Sequence, residues 1–220
     1  MRKLEDTYRH KGLRQKLVNE LRTQKGIVDE NVLTAINNIP RHFFLDSAFD
    51  NIAYEDRAFP IAANQTISQP YTVAFQSQLL QIKRGEKVLE IGTGSVYQAI
   101  ILAEMGAMVY TIERQKELFE LQKKNILLKK YTNIKTFYRD GFLGHPAFAP
   151  YDKILITAAA PTIPQTLVEQ LKVNGILVLP LDEEGGKQRM LRLTKKEGGE
   201  LQEERFEEFS FVPMLSGKNV

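Results

Sequence analysis

Residues 87–98 read KVLEIGTGSVYQ: an apolar run, then Gly92-Thr93-Gly94, then the start of a helical stretch. Glycines let a turn close tightly and let a ligand approach the backbone. A helix start adds N–H groups with no internal partner, so the pattern outlines a phosphate or nucleoside site. It fails two stricter tests. The third glycine of a dinucleotide fingerprint would fall at Tyr97, and no Lys-Ser or Lys-Thr follows to make a phosphate-gripping loop. Glu113 ends the next apolar run about 20 residues on, where a carboxylate can accept both ribose hydroxyls. Asp140 ends a third run, where it can accept from the amino group of a base, and Gly141 lets that base lie close. Glu90, inside the first run, is hard to explain as core, because a buried carboxylate needs partners. Loop amides, or the amino group of a bound amino-acid moiety, would supply them.

These residues can share one ligand only if the runs carrying them are parallel strands ending on one edge. Strand-like runs at 87–91, 108–113, 134–139, 153–157 and 175–181 alternate with helical stretches at about 98–105, 115–130 and 164–171. Such alternation predicts a doubly wound α/β sheet, since right-handed crossovers make the strands parallel. Upstream, apolar residues at helical spacing predict a helix over about 6–25 ending at Gly26. A short second helix follows Asp29 and stops before Pro40. Residues 41–68 carry five aromatic side chains with no regular period and read as an irregular packed segment. Runs at 189–195 and 202–212 flank Gly198-Gly199 and predict an antiparallel hairpin at the sheet edge. Taken singly, Gly92, Gly94, Glu90, Glu113 and Asp140 are explained by turns, caps or a lysine partner. Their common position at strand ends, in the order of a single ligand, points to S-adenosylmethionine.

Composition bounds the rest. The 220 residues are 43% hydrophobic and 26% charged, which suits one globular domain with a substantial core. A net charge of +3 is too small to call for a polyanion. The absence of cysteine excludes disulfides, thiolate metal sites and thiol nucleophiles. The charged opening and the lack of a long apolar run read as a cytoplasmic chain with no membrane partner. The histidines, His10, His42 and His145, form no recognisable triad, and no metal site is expected.

The ordered motifs resemble those of the protein-L-isoaspartate O-methyltransferase family. They are Glu90 through Ser95 with Tyr97-Gln98, Tyr110 through Arg114, Arg139-Asp140-Gly141, Pro150 through Ile154 and, the most diagnostic, Gln65-Thr66-Ile67-Ser68-Gln69-Pro70. Ile39-Pro40-Arg41, Ala158-Ala159 and Phe211-Val212-Pro213 extend the likeness over nearly the whole chain. The resemblance implies a Rossmann-like methyltransferase fold with an N-terminal helical extension and a C-terminal hairpin. It divides one domain into 1–78 (helices and substrate loop), 79–181 (cofactor core) and 182–220 (hairpin). It also implies methyl transfer to the α-carboxylate of L-isoaspartyl residues in damaged proteins, by a monomer acting on proteins and peptides rather than nucleic acid. Ser68 becomes the active-site residue. Thr66, Ser68, Glu90, Gly92, Thr93, Gly94, Glu113, Arg114, Asp140 and Gly141 become cofactor contacts, and Ala63, Asn64 and Val212 contacts for an extended peptide. Without the family, Ser68 reads as a turn or capping serine two residues before Pro70.

Two positions depart from the family's usual glycine: Val96 and Asn64. A β-branched residue at positive φ costs about 1–2 kcal/mol and would crowd the cofactor, whereas Asn tolerates left-handed geometry. Weakened cofactor binding is the expectation. Two rival readings share the fold. A nucleic-acid methyltransferase would use Lys123, Lys124, Lys129 and Lys130, although a solvated helix face explains these equally well. An adenosylmethionine-binding module without catalysis would take Val96 as its cause.

Overall fold

The computed structural model describes residues 5–219; Met1–Leu4, part of the charged opening, and Val220 lie outside the described residues. The N-terminal part is helical. Helix α1 (Tyr8–Thr23) starts at Thr7, whose hydroxyl accepts from the His10 amide, and α2 (Glu30–Asn38) starts at Asp29, whose carboxylate accepts from Asn31 and Val32. The Arg14 side chain in α1 donates to the Asn37 carbonyl at 2.5 Å and so ties the end of α2 to α1. Residues 41–68 are not wholly irregular. Short 3-10 turns at Arg41–Phe44 and Ser47–Phe49 lead to a two-stranded ribbon of β1 (Phe59–Pro60) and β2 (Thr66–Ile67).

Helix α3 (Pro70–Leu80) follows, with proline in its first position, where the missing N–H costs nothing. Then come β3 (Lys87–Ile91), α4 (Tyr97–Glu104), β4 (Met108–Glu113), α5 (Lys116–Gln122), β5 (Ile134–Tyr138), β6 (Tyr151–Ile156), α6 (Gln165–Glu169), β7 (Leu171–Asp182), β8 (Gln188–Lys195) and β9 (Leu201–Phe209). One seven-stranded sheet has the order β5-β4-β3-β6-β7-β8-β9, parallel from β5 to β7 and antiparallel beyond. Val88 through Ile91 are buried without a break, as a central strand with both faces covered requires. Val88, Val109 and Leu155 face α1–α4, while Leu89, Ile91 and Ile154 face the opposite layer.

Several boundaries differ from expectation for local reasons. The helix expected over 115–130 breaks after Gln122, because the Asn125 side chain accepts from the Leu127 and Leu128 amides and starts a new turn. Strand β7 begins at Leu171, four residues early, and α6 is correspondingly shorter. The last strand ends at Phe209 rather than 212. The Gln188 side chain captures the Phe211 amide, and the chain turns to cross the sheet, with Val212 accepting from the Ala159 amide at 2.8 Å.

Val96 immediately precedes α4 with φ 67°, in the left-handed region, and its side chain is fully buried in the core. Burial of a valine contributes about 1.5–3 kcal/mol and left-handed geometry costs about 1–2 kcal/mol, while glycine adds about 0.5–1 kcal/mol of backbone entropy to be lost. Packing therefore wins. Val96→Gly is expected to lower stability by about 1 kcal/mol in urea unfolding, and a more stable glycine variant would show that strain dominates.

Candidate active site

The carboxyl ends of β3, β4 and β6 open a crevice of about 200 Å³. Its floor is set by a close approach. A Cβ on Gly92 would lie 2.4 Å from Thr157 Oγ1, and that hydroxyl donates to the Ile91 and Gly92 carbonyls at 3.0 and 2.8 Å. With the loop pinned there, Gly94 donates to Glu113 Oε2 at 2.9 Å, and the Gln115 amide donates to Oε1 at 2.8 Å. Burial pushes the Glu113 carboxyl up, and these backbone N–H groups oppose the shift. Thr93 lies buried with its hydroxyl 2.7 Å from that of Thr111.

Glu90 is fully buried beneath this loop, and neither carboxylate oxygen has a partner of good hydrogen-bond geometry. Burial pushes its pKa up to about 8, with the adjacent Thr111 hydroxyl opposing and the Glu113 charge adding. At the other end, Asp140 accepts from Phe142 at 2.9 Å and from Gly217 at 2.6 Å. Gly141 has no room for a side chain, since a Cβ would meet Ile91 Cγ2 at 2.4 Å. The final segment forms a strap over this end: Met214 donates to the Ala159 carbonyl, and Asn219 donates to the Arg114 carbonyl.

The crevice wall includes Thr66, Ser68, Gly92, Thr93, Gly94, Glu113, Arg114 and Gly141 among the expected cofactor contacts, and Asn64 and Val212 among the expected peptide contacts. Glu90, Asp140 and Ala63 do not line it. The Arg114 guanidinium reaches away, to the carbonyls of Gly217 at 3.0 Å and Ser216 at 3.4 Å. Ala63 and Asn64 both adopt positive φ at the tip of the β1–β2 ribbon. Val96, buried in the core, lies off the crevice wall and does not crowd it. A smaller adjoining recess is lined by Gln69, Thr72, Ser210 and Phe211, and shares Thr66, Ser68, Thr157 and Val212 with the crevice. Ser68 thus stands on the wall between two cavities.

The family model for protein-L-isoaspartate (D-aspartate) O-methyltransferase matches residues 12–219. The chain belongs to this family. Among relatives of this family member, the protein-L-isoaspartate O-methyltransferase of Christiangramia forsetii is 53% identical over 98% of the chain and 100% of the relative. That of Flavobacterium johnsoniae is also 53% identical, over 98% and 100%. A solved protein-L-isoaspartate O-methyltransferase superposes with a TM-score of 0.82 at 28% identity, covering 91% of this chain and 65% of the other. A Plasmodium falciparum structure described by the same activity, in complex with S-adenosyl-L-homocysteine, gives 0.79 at 25% identity, covering 92% and 98%.

Sequence reasoning about this methyltransferase passed over Thr157, Ser95 and Met214, all on the crevice wall. Thr157 was accessible to it, standing at the carboxyl end of a central strand where ligands bind in such sheets. Ser95 follows the two loop glycines directly, whereas nothing local marks Met214. The histidines do meet elsewhere: His10 and His42 stack at 3.8 Å, and with Asp6 they bring ligand atoms within 4.8 Å of one another. Arg14 holds both Asp6 oxygens and Tyr54 holds His42, so this cluster anchors the start of α1.

Folded, Glu90 keeps its proton up to about pH 8; unfolded, it loses it near the ordinary value of 4.5. The folded state therefore binds more protons between those limits, and stability falls as pH rises through them. Glu90→Gln is expected to remove this part of the slope, raising the thermal midpoint by a few degrees at pH 8 and by little at pH 5. Parallel midpoint-against-pH curves for the two proteins would contradict the assignment.

Proposed function

We propose that the crevice holds S-adenosylmethionine and that Ser68 presents to it the α-carboxylate of an L-isoaspartyl residue from a damaged protein, giving a methyl ester that collapses to a succinimide. The observation that carries this reading is the position of Ser68 on the wall shared by the crevice and the smaller recess. The crevice suits the cofactor in its acids and its close approaches. Glu113 lines the wall at the end of β4 and would take the ribose hydroxyls. Gly141, on the wall and too confined for any side chain, would lie against the adenine, with Asp140 set off the wall beside it. The Glu90 carboxyl beneath the loop, protonated up to about pH 8 without a ligand, would ionise beside the positive amino-acid end.

When bound, the sulfonium would supply an electrophilic methyl group to a carboxylate oxygen, with the carbon–sulfur electron pair retained by a neutral thioether. The acceptor is ionised at neutral pH, so no general base has to create it. The chain's task is positioning and exclusion of water, which lowers a barrier by about 7–11 kcal/mol in favourable cases. The Ser68 hydroxyl has no hydrogen-bond partner among the described residues and is available to donate to the acceptor carboxylate. Asn64, at the ribbon tip with Ala63 beside it, and Val212 would flank an extended peptide. Residues 1–78 would supply this substrate side, 79–181 the cofactor side and 182–220 the hairpin that closes it. No described helix is long and apolar enough to cross a membrane. The chain would act on proteins as a cytoplasmic monomer.

Radiolabelled methyl transfer to an isoaspartyl peptide, beside its normal aspartyl counterpart, tests the reading. Selective labelling is expected. Ser68→Ala should lower kcat/KM by roughly 10–100-fold, the worth of one hydrogen bond to a charged group. Labelling of neither peptide would favour a binding module without catalysis. Glu113→Ala should raise the calorimetric Kd for S-adenosylmethionine at least tenfold, and an unchanged Kd would move the ribose elsewhere.

A further inference from the structure

Arg41 is fully buried, yet no carboxylate hydrogen-bonds its guanidinium. Its donors go to backbone carbonyls: Nε to Ala53 at 3.1 Å, Nη2 to Ser68 at 2.8 Å and, more distantly, to Arg57 at 3.5 Å. Nη1 has no partner of good hydrogen-bond geometry among the described residues, although the nearby Tyr97 hydroxyl helps hold the proton on the guanidinium. The guanidinium carbon lies 5.1 Å from the ring centroid of Tyr97, the first residue of α4 and part of the crevice wall. Burial lowers the pKa to about 10, with Tyr97 and Asp56 opposing, so the group is charged at neutral pH. A buried charge with no hydrogen-bonded anionic partner is costly, and an apolar side chain of similar volume would fill the space more cheaply. The contacts say what the charge does there.

All three carbonyls belong to segments between helices, and the Ser68 carbonyl takes no backbone hydrogen bond. It lies after β2 and just before Pro70, which has no N–H to contribute. The bond from Arg41 is therefore the tie that fixes the Ser68 peptide, and the planar guanidinium over Tyr97 refers that peptide to α4 and the cofactor loop. Lysine cannot reproduce this. Its single ammonium lacks the fork that reaches several carbonyls while a ring holds the same cation.

We propose that Arg41 is a positioning residue for methyl transfer: its bond to the Ser68 carbonyl, with Tyr97 beneath the guanidinium, aims the Ser68 hydroxyl at the acceptor carboxylate. This rests on the role given to Ser68 above. The test is a double-mutant cycle of Arg41→Lys and Ser68→Ala, reading kcat and KM for an isoaspartyl peptide, with the Kd for S-adenosylmethionine measured by calorimetry. Arg41→Lys alone is expected to lower kcat/KM at least tenfold while the cofactor Kd stays within threefold. In the Ser68→Ala background it should cost less than threefold more, because the group being aimed is already gone. Equal losses in both backgrounds, or a cofactor Kd that rises in step, would make Arg41 a scaffold residue and overturn the proposal. Arg41→Gln, neutral and with one amide donor, replaces the lysine variant if that does not fold, and failure of both to fold overturns it as well. Full activity of Ser68→Ala by itself would instead remove the assignment of Ser68 on which the cycle depends.

Discussion

The structure turns on the absence of space between Gly92 and Thr157. Because no side chain fits at 92, the end of β3 can press against the end of β6 while the Thr157 hydroxyl donates to the Gly92 carbonyl and joins its own amide on the Ile91 carbonyl. That contact sets the exit direction of the loop. The Gly94 amide then meets the Glu113 carboxylate, and α4 has to begin through a left-handed residue at 96. Parallel order in the sheet brings the three strand ends to one edge, but this approach gives the edge its concave shape.

The alternating core was readable because its signals are local and periodic. Runs of buried aliphatic residues bounded by Gly92, Glu113 and Asp140 give strand ends within a residue or so, and the crossover rule supplies their direction. Where the reading missed, a side chain had intervened in the backbone. Asn125 cuts α5 short and Gln188 draws the chain off β9, and neither event leaves a period behind. Residues 41–68 were opaque for a related reason. Their order comes from Arg41 bonding distant carbonyls and from aromatic packing across the chain, which no window of sequence contains. The same holds for the strap, whose Gly217 meets Asp140 across 77 positions. Gly92, Gly94, Gly141 and Glu113, which line the crevice, stood out by type and spacing, and Ser68 only through the family's Gln-Thr-Ile-Ser segment, while Glu90 and Asp140, picked out on the same grounds, lie off the wall.

The polar groups around the crevice are held against the interest of the fold. Glu90 and Arg41 are both fully buried, and each retains side-chain atoms with no partner. Folding alone would favour apolar replacements at both positions. At neutral pH Arg41 carries its charge beside the Ser68 carbonyl while Glu90, beneath the loop, keeps its proton, and polar groups retained at such cost are expected where function rather than stability has decided the residue.

The order in which the chain is made has a bearing on when the crevice exists. Its first wall is laid down at residues 64–68, its floor at 92–94 and 113, and its far rim only at 212–217, where Val212 meets Ala159 and Gly217 meets Asp140. The crevice therefore has its wall and floor before its far rim, which forms only once the segment after β9 has turned back across the sheet.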